Sequence, residues 1–231
     1  VFLESHGIAL RLDGCHDVRS HAEGAALGHV LGAADLLDVA STARAAQRVR
    51  TSLIRLAGDV PLLATLAGGI TELAALRGLI EDSIDDRGEV VDDASPELHS
   101  IRRELNVAHE RLQQRMQSLL NSADTRSALQ DAIVTIRDGR YVLPVRSEAR
   151  GSVQGVIHDT SASGATVYVE PLAVVELGNR WRELQVQERH EVNRILREIS
   201  AAVGEAADDL VDAVDRLAHI DVARAKSYLA K

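Results

Sequence analysis

Between Glu97 and Asn121 apolar residues return every three or four positions: Leu98, Ile101, Leu105, Ala108, Leu112 and Leu119, with Met116 close to the same stripe. Neither proline nor glycine interrupts them. That alternation is the seam of a coiled-coil helix, roughly 40 Å long at 1.5 Å per residue. Arg102, Arg103, Glu104, Glu110, Arg111 and Arg115 fill its other faces. Ser95-Pro96-Glu97 announces the start, with a cap residue, a proline at the first helical position and a carboxylate on the positive end of the dipole. A second helical run is predicted from Pro171 nearly to Lys231. Val174, Leu177, Trp181 and Leu184 keep the spacing. The seam then shifts near Glu188 and resumes at Val192, Ile195, Ile199 and Ala202, which reads as a stutter. Leu210, Val214, Leu217 and Ile220 continue the stripe.

The two runs enclose a stretch of different character. Ile133 to Ile136 and Tyr141 to Val145 are β-branched or aromatic, and Asp138-Gly139 between them is a hairpin signal. Val153 to Ile157 and Ala165 to Val169 form a second pair, connected by the turn formers of Asp159-Thr-Ser-Ala-Ser-Gly164. Ahead of this island the chain again reads as helix. Val1 to Arg19 is mixed, with Gly7, Gly14 and His16-Asp17 marking turns. Ser20 to Gly58 is helical in pattern, and Gly24, Gly28 and Gly32 would line one face as a close crossing or else form a loop. Leu36, Leu37, Ala40, Ala43, Val49, Leu53 and Leu56 make an amphipathic stripe. Pro61 opens a short helix that Gly68-Gly69 ends, and Thr71 could cap another running to about Ile84. Asp85-Asp-Arg-Gly88 is a turn, and Glu89 to Asp92 a brief extended segment.

The fold class that follows is mainly α with a small β insert. A helical body is expected over 1–94, returning over 201–231. An ascending helix over 95–123 and a descending one over 171–200 pair antiparallel, and hold a β-rich segment over 124–170 at the far tip.

Composition narrows the chemistry. Aromatics are only 2% of the 231 residues, as suits helix packing through Ala, Leu and Val. A formal charge of −9 argues against a surface that grips nucleic acid all over, though not against a local basic patch. Cys15 is the single cysteine, so an intrachain disulfide and a cysteine zinc site are both ruled out. No apolar run approaches the roughly 18–20 residues of a membrane span, and no signal-peptide pattern opens the chain; a cytoplasmic protein with no membrane partner is expected. Val1 is not a natural start, so an excised segment is expected as well.

His158, Asp159, Ser161 and Ser163 invite a hydrolase reading, but adjacent residues of a strand point to opposite faces and no Gly-x-Ser-x-Gly elbow is present. His158, Asp159, Ser161 and Gly164 are read instead as a structural turn. His99, His109, His190 and His219 have no partner histidine one turn away, so no metal site is expected. No Gly-x-x-x-x-Gly-Lys-Ser/Thr loop occurs, so ATP has no seat among these residues. Arg126, Arg137, Arg140, Arg146 and Arg150 are the candidate contacts to phosphate. Asp124, Asp131, Asp138, Glu148, Asp159 and Glu170 offset them, and binding is expected to be weak and helped by avidity.

Three stretches carry a resemblance: Asp92-Asp-Ala-Ser-Pro-Glu-Leu-His-Ser-Ile-Arg-Arg-Glu-Leu105, Thr135-Ile-Arg-Asp-Gly-Arg-Tyr-Val-Leu-Pro-Val-Arg146 and Gly155-Val-Ile-His-Asp-Thr-Ser-Ala-Ser-Gly-Ala-Thr-Val-Tyr-Val-Glu-Pro171. Val174-Val-Glu-Leu-Gly-Asn179 continues it. Here the chain resembles the MutS-two family, the bacterial MutS paralogue without the mismatch-reading domains. Tyr168 stands where that family usually has Phe, and Gly178 where it often has Asn. The resemblance implies the core, lever and clamp of a homodimer, with ATP and Mg in an ATPase domain and usually a small MutS-related nuclease domain, both outside these residues. It also implies partners rich in nucleic acid: branched or double-stranded DNA in suppression of recombination, or collided ribosomes to be split. The competing expectation is a coiled-coil dimerisation module that touches only protein.

Overall fold

The computed structural model describes residues 12–229, which separate into two compact units. One comprises the chain up to Pro96 together with the stretch from Val192 onward; the other is Glu97–Glu191. The expected turn at Gly7 and the end of the last helix at Lys231 lie outside the described residues.

In the first unit, Gly14 takes a left-handed φ of 78° within a turn. His16 and Asp17, expected in a turn, follow it as irregular chain. They lead into α1 (Arg19–Ala26), and α2 (Ala33–Arg55) comes after a short loop. The glycines at four-residue spacing therefore do not share a helix face. Gly24 lies inside α1, Gly28 has φ 89° in the turn that ends it, and Gly32 is the N-cap of α2. The loop alternative is the one realised, because a left-handed residue stops the helix where periodicity alone would carry it through. Of the α2 stripe, Leu36, Ala40, Ala43, Val49 and Leu53 are buried, whereas Leu37 is half-buried and Leu56, also half-buried, is the C-cap beyond the helix.

Pro61 opens α3 (Pro61–Gly68). The helix after it, α4 (Ala74–Ser83), is not capped by Thr71. Its N-cap is Leu73, and the Thr71 hydroxyl donates instead to Asp209 Oδ1 at 2.8 Å. The Asp85–Gly88 turn is formed around Asp85 Oδ1, which accepts from Arg87 N and Glu89 N. Just beyond it Val90 bridges Ile84. The descending helical run, expected to be continuous, divides at Ala206 into Leu172–Glu205 and Ala207–Leu229. There the Ala206 amide is shared between Ala202 O and Val203 O before Leu210 N resumes the ladder on Ala206 O. A one-residue break of this kind needs no proline and leaves no mark in composition. Ala46, Val49, Leu53, Ala67, Ile70, Ala213, Leu217 and Ile220 form a core of this unit.

The second unit is built on α5 (Pro96–Asn121) and on α7 (Leu172–Glu205) as far as Glu191. These helices run antiparallel. Arg102 pairs with Glu188 and His109 stacks on Trp181, so seven residues forward along α5 match seven backward along α7. Two features of the predicted seam change. Met116 is fully buried rather than beside the stripe, and Leu120 is more buried than Leu119. A straight helix drifts against a seven-residue repeat, and here the drift brings Met116 among sheet residues. No stutter occurs at Glu188. Leu184, Glu188, Glu191 and Ile195 keep the three–four spacing as inward positions, Glu191 is buried, and Glu188 is satisfied by Arg102.

Between the helices lie α6 (Ala123–Ala128), β1 (Thr135–Arg137), β2 (Arg140–Arg146), a 3-10 helix over Ser147–Ser152, β3 (Gly155–Thr160) and β4 (Thr166–Pro171). The four strands form one antiparallel sheet in the order β1-β2-β4-β3. Asp138 and Gly139 close the first hairpin with φ of 49° and 70°, the pair of left-handed residues that a two-residue turn of right-handed twist requires. Leu143, Val145, Val167 and Val169 join Leu112, Met116, Leu120 and Val174 in one core.

Candidate nucleic-acid interface

The strand register decides what the sheet presents. Thr135 pairs with Val142, Arg137 with Arg140, Pro144 with Tyr168 and Arg146 with Thr166. By alternation, Arg137, Arg140, Arg146, Tyr168 and Glu170 share the face opposite Leu143, Val145, Val167 and Val169. A bulge between Ile157 and Asp159 interrupts the alternation of β3. His158 and Asp159 consequently both find partners on this polar face, contrary to the expectation that they point apart. A bulge inserts one residue against the partner strand and re-aims its neighbours. Both belong to β3 rather than to the turn, which comprises Ser161 to Ala165.

Glu170 is the centre of the face. Its side chain is 4% exposed, with Arg140 Nη1 3.3 Å from Oε1 and His158 Nε2 2.7 Å from Oε2. Arg140 Nη1 also donates to Asn179 Oδ1 at 2.7 Å. Gly178 makes room, since a Cβ there would lie 3.0 Å from Glu170 Oε1. This ties the end of β4 to the start of α7. Sequence reading counted Glu170 only as an offsetting acid; the signal of its role is its place at the end of a strand opposite His158 and Arg140.

The five candidate arginines divide. Arg137 lies 4.1 Å above the Tyr168 ring and 3.2 Å from Asp159 Oδ2, and donates to Thr135 Oγ1 and Ile136 O. Arg140 is held by Glu170 and Asn179. Arg146 donates to Ser127 O and has Glu148 at 3.8 Å. Arg126, on α6, and Arg150, on the 3-10 helix against which α6 packs, are exposed, and among the described residues neither has an ion-pair partner. Arg126, Arg146 and Arg150 therefore gather about the α6 side of the sheet, while Arg137 and Arg140 belong to the β1–β2 end.

No serine–histidine pair of the hydrolase kind is formed among the described residues. His158 is engaged by Glu170, and Ser161 Oγ accepts from Thr166 N at 3.0 Å and lies 3.4 Å from Ser163 Oγ. Gly164, with φ 71°, donates its amide to Ser161 O and completes the tight turn. Among the described residues no group of three or more His, Cys, Asp or Glu side chains could hold a metal ion, and no helix is long and apolar enough to cross a membrane. Two features escaped sequence reading. His109, Tyr141 and Trp181 pack ring to ring, with the Tyr141 hydroxyl 2.7 Å from His109 Nε2. Arg182 donates to Asp138 O and braces the β1–β2 turn.

The protein is thus a mainly helical one that carries a small antiparallel sheet with arginines on its polar face. No family model matches the chain. Among curated proteins it is 45% identical over 223 residues to endonuclease MutS2 of Geobacillus thermodenitrificans, covering 95% of this chain and 28% of that protein. It is 46% identical over 222 residues to endonuclease MutS2 of Thermomicrobium roseum and 42% over 224 residues to that of Symbiobacterium thermophilum, again over 28% of each. The chain is similar to a segment of these MutS2 proteins and spans 28% of their length.

Proposed function

We propose that this segment is the core, lever and clamp of a homodimeric, ATP-driven MutS-two protein of the cytoplasm that closes on substrates rich in nucleic acid. In this reading α5 and α7 are the lever, the sheet with α6 is the clamp, and the segment itself catalyses nothing. The substrate is branched or double-stranded DNA, or the RNA of a collided ribosome. ATP and Mg act in an ATPase domain outside these residues, and the reading gives them no contact here.

The observation that carries it is the pair of exposed arginines, Arg126 and Arg150, without an ion-pair partner among the described residues, beside Arg146 on one side of the sheet. Each could release counterions from a phosphate backbone without first breaking an ion pair of its own. Changing both to Glu in the intact protein should weaken binding to a four-way DNA junction, or to purified ribosomes, by about tenfold or more, since contacts to charged groups contribute roughly 1.5–3 kcal/mol each. Anisotropy titration and ribosome co-sedimentation measure this. Unchanged binding to both would remove these two residues from the interface. Arg137, Arg140 and Arg146, committed to partners, should give smaller losses when changed alike.

A second reading, a dimerising module that touches only protein, draws on Val156 and Ile157, 45% and 48% exposed on the edge strand β3. Light scattering of the intact protein with Val156→Lys and Ile157→Lys distinguishes the two. A loss of dimer with nucleic-acid binding intact favours the protein-contact reading for this strand.

A further inference from the structure

The sheet is not the richest source of uncommitted positive charge in the second unit. A groove of about 350 Å³ runs beside the α5–α7 seam, lined by Arg103, Glu104, Val107 and Arg111 of α5 and by Arg180 and Leu184 of α7. Arg180 engages both neighbouring acids, Glu104 at 2.8 Å and Glu183 at 3.0 Å. Arg103, Arg111 and Arg115 are exposed, and among the described residues none has an ion-pair partner. The apolar spacing places them on the faces away from the seam. At 100° and 1.5 Å per residue, Arg111 and Arg115 stand about 80° and 120° around the axis from Arg103, and about 12 Å and 18 Å along it. They climb one side of the helix. In that sector lie Val107, Gln114, Ser118 and one acid, Glu104, which Arg180 holds; exposed Glu110 stands about 20° outside it, on the Arg103 side.

We infer that this face of α5, from Arg103 to Arg115, is a docking surface for the phosphodiester backbone of a nucleic-acid duplex. This inference rests on the clamp reading above and moves its principal contact from the sheet to the helix pair. Charge complementarity favours this occupant, because three exposed arginines without an ion-pair partner among the described residues gain most from a partner that carries its own phosphates. The pitch agrees. Phosphates of one strand advance roughly 3.4 Å along a duplex axis, so the roughly 6 Å between Arg111 and Arg115 spans about two of them. A double rather than a single strand is indicated because none of the residues lining the groove is aromatic, and single-strand binding relies on stacking bases against rings. On the facing helix Glu183 is held by Arg180, and Glu176 lies exposed one turn before it.

The test uses the intact protein with Arg103, Arg111 and Arg115 changed together to Ala, and separately to Lys. Both are titrated against short labelled DNA and RNA duplexes and a single strand at several salt concentrations. The Ala variant should bind duplex at least tenfold more weakly. Its slope of log K against log salt should be shallower by about 2 to 3, at roughly 0.9 per lost phosphate contact. The Lys variant should retain the slope. Whichever duplex binds tighter names the source of the backbone. An Ala variant with unaltered affinity and slope, in a protein that still binds duplex, overturns the groove while leaving the clamp reading in place. Preference for the single strand overturns the duplex assignment. An unaltered protein that binds no nucleic acid at low salt overturns both readings.

Discussion

Glu170 concentrates the local energetics of the sheet. A carboxylate this enclosed is tolerable only because Arg140 and His158 both reach it, and removing one partner leaves a buried charge half compensated. Arg140→Ala should therefore destabilise the fold by about 3 kcal/mol, read as a lower denaturation midpoint, whereas Arg137→Ala on the same face should cost under about 1 kcal/mol because its ion pair is open to solvent. Equal effects would mean that Glu170 is not the hub. Asp17 gives a prediction in pH. Hydrogen bonds from the Arg19 side chain and then its backbone hold the Asp17 carboxyl down at about 2, against an ordinary value of 3.8. Since the folded value is the lower one, the group's contribution is complete above the ordinary value and fades as pH falls from about 4 through about 2. An NMR titration of the Asp17 carboxyl should find its midpoint near 2; a midpoint at the ordinary value would break the assignment.

On the scale of elements, propensity and packing oppose each other at Gly204, near the end of α7. Propensity alone says that Gly→Ala in a helix gains nearly 1 kcal/mol. Yet a Cβ at Gly204 would stand 2.7 Å from Ala25 O and 2.9 Å from Ala26 N, both backbone atoms of α1. Backbone cannot turn aside as a side chain can, so Gly204→Ala should destabilise by about 1–3 kcal/mol. A stabilised variant would show that α1 does not approach so closely. The seam of α5 and α7 carries a related lesson. The three–four spacing was legible from Leu98 to Leu184, but charged Glu188 and Glu191 hid its continuation. Their inward position depends on a partner, Arg102 for Glu188, that lies far away in sequence.

For the whole chain, the two units have separate cores, Met116 belonging to one and Leu217 to the other. Met116→Ala and Leu217→Ala should each cost about 2–5 kcal/mol, and the double variant should equal their sum within about 0.5 kcal/mol, as expected of sites without shared partners. A larger departure in thermal or urea unfolding would reveal coupling between the cores. The net charge of −9 makes any nucleic-acid contact a local affair, confined to places where arginines outnumber their acids.

What the sequence alone determined is the succession of elements. Apolar spacing gave the long helices, Pro96 and Pro61 their starts, and Asp138-Gly139 a hairpin whose two left-handed residues the turn requires; all of these are local and need no knowledge of distant chain. Tertiary structure decided the rest: the order β1-β2-β4-β3, the bulge that turns His158 toward Glu170, the break at Ala206, and above all which arginines are free. Whether a guanidinium is available to a partner depends on which carboxylate the fold brings within about 3 Å of it, and no one-dimensional pattern contains that distance.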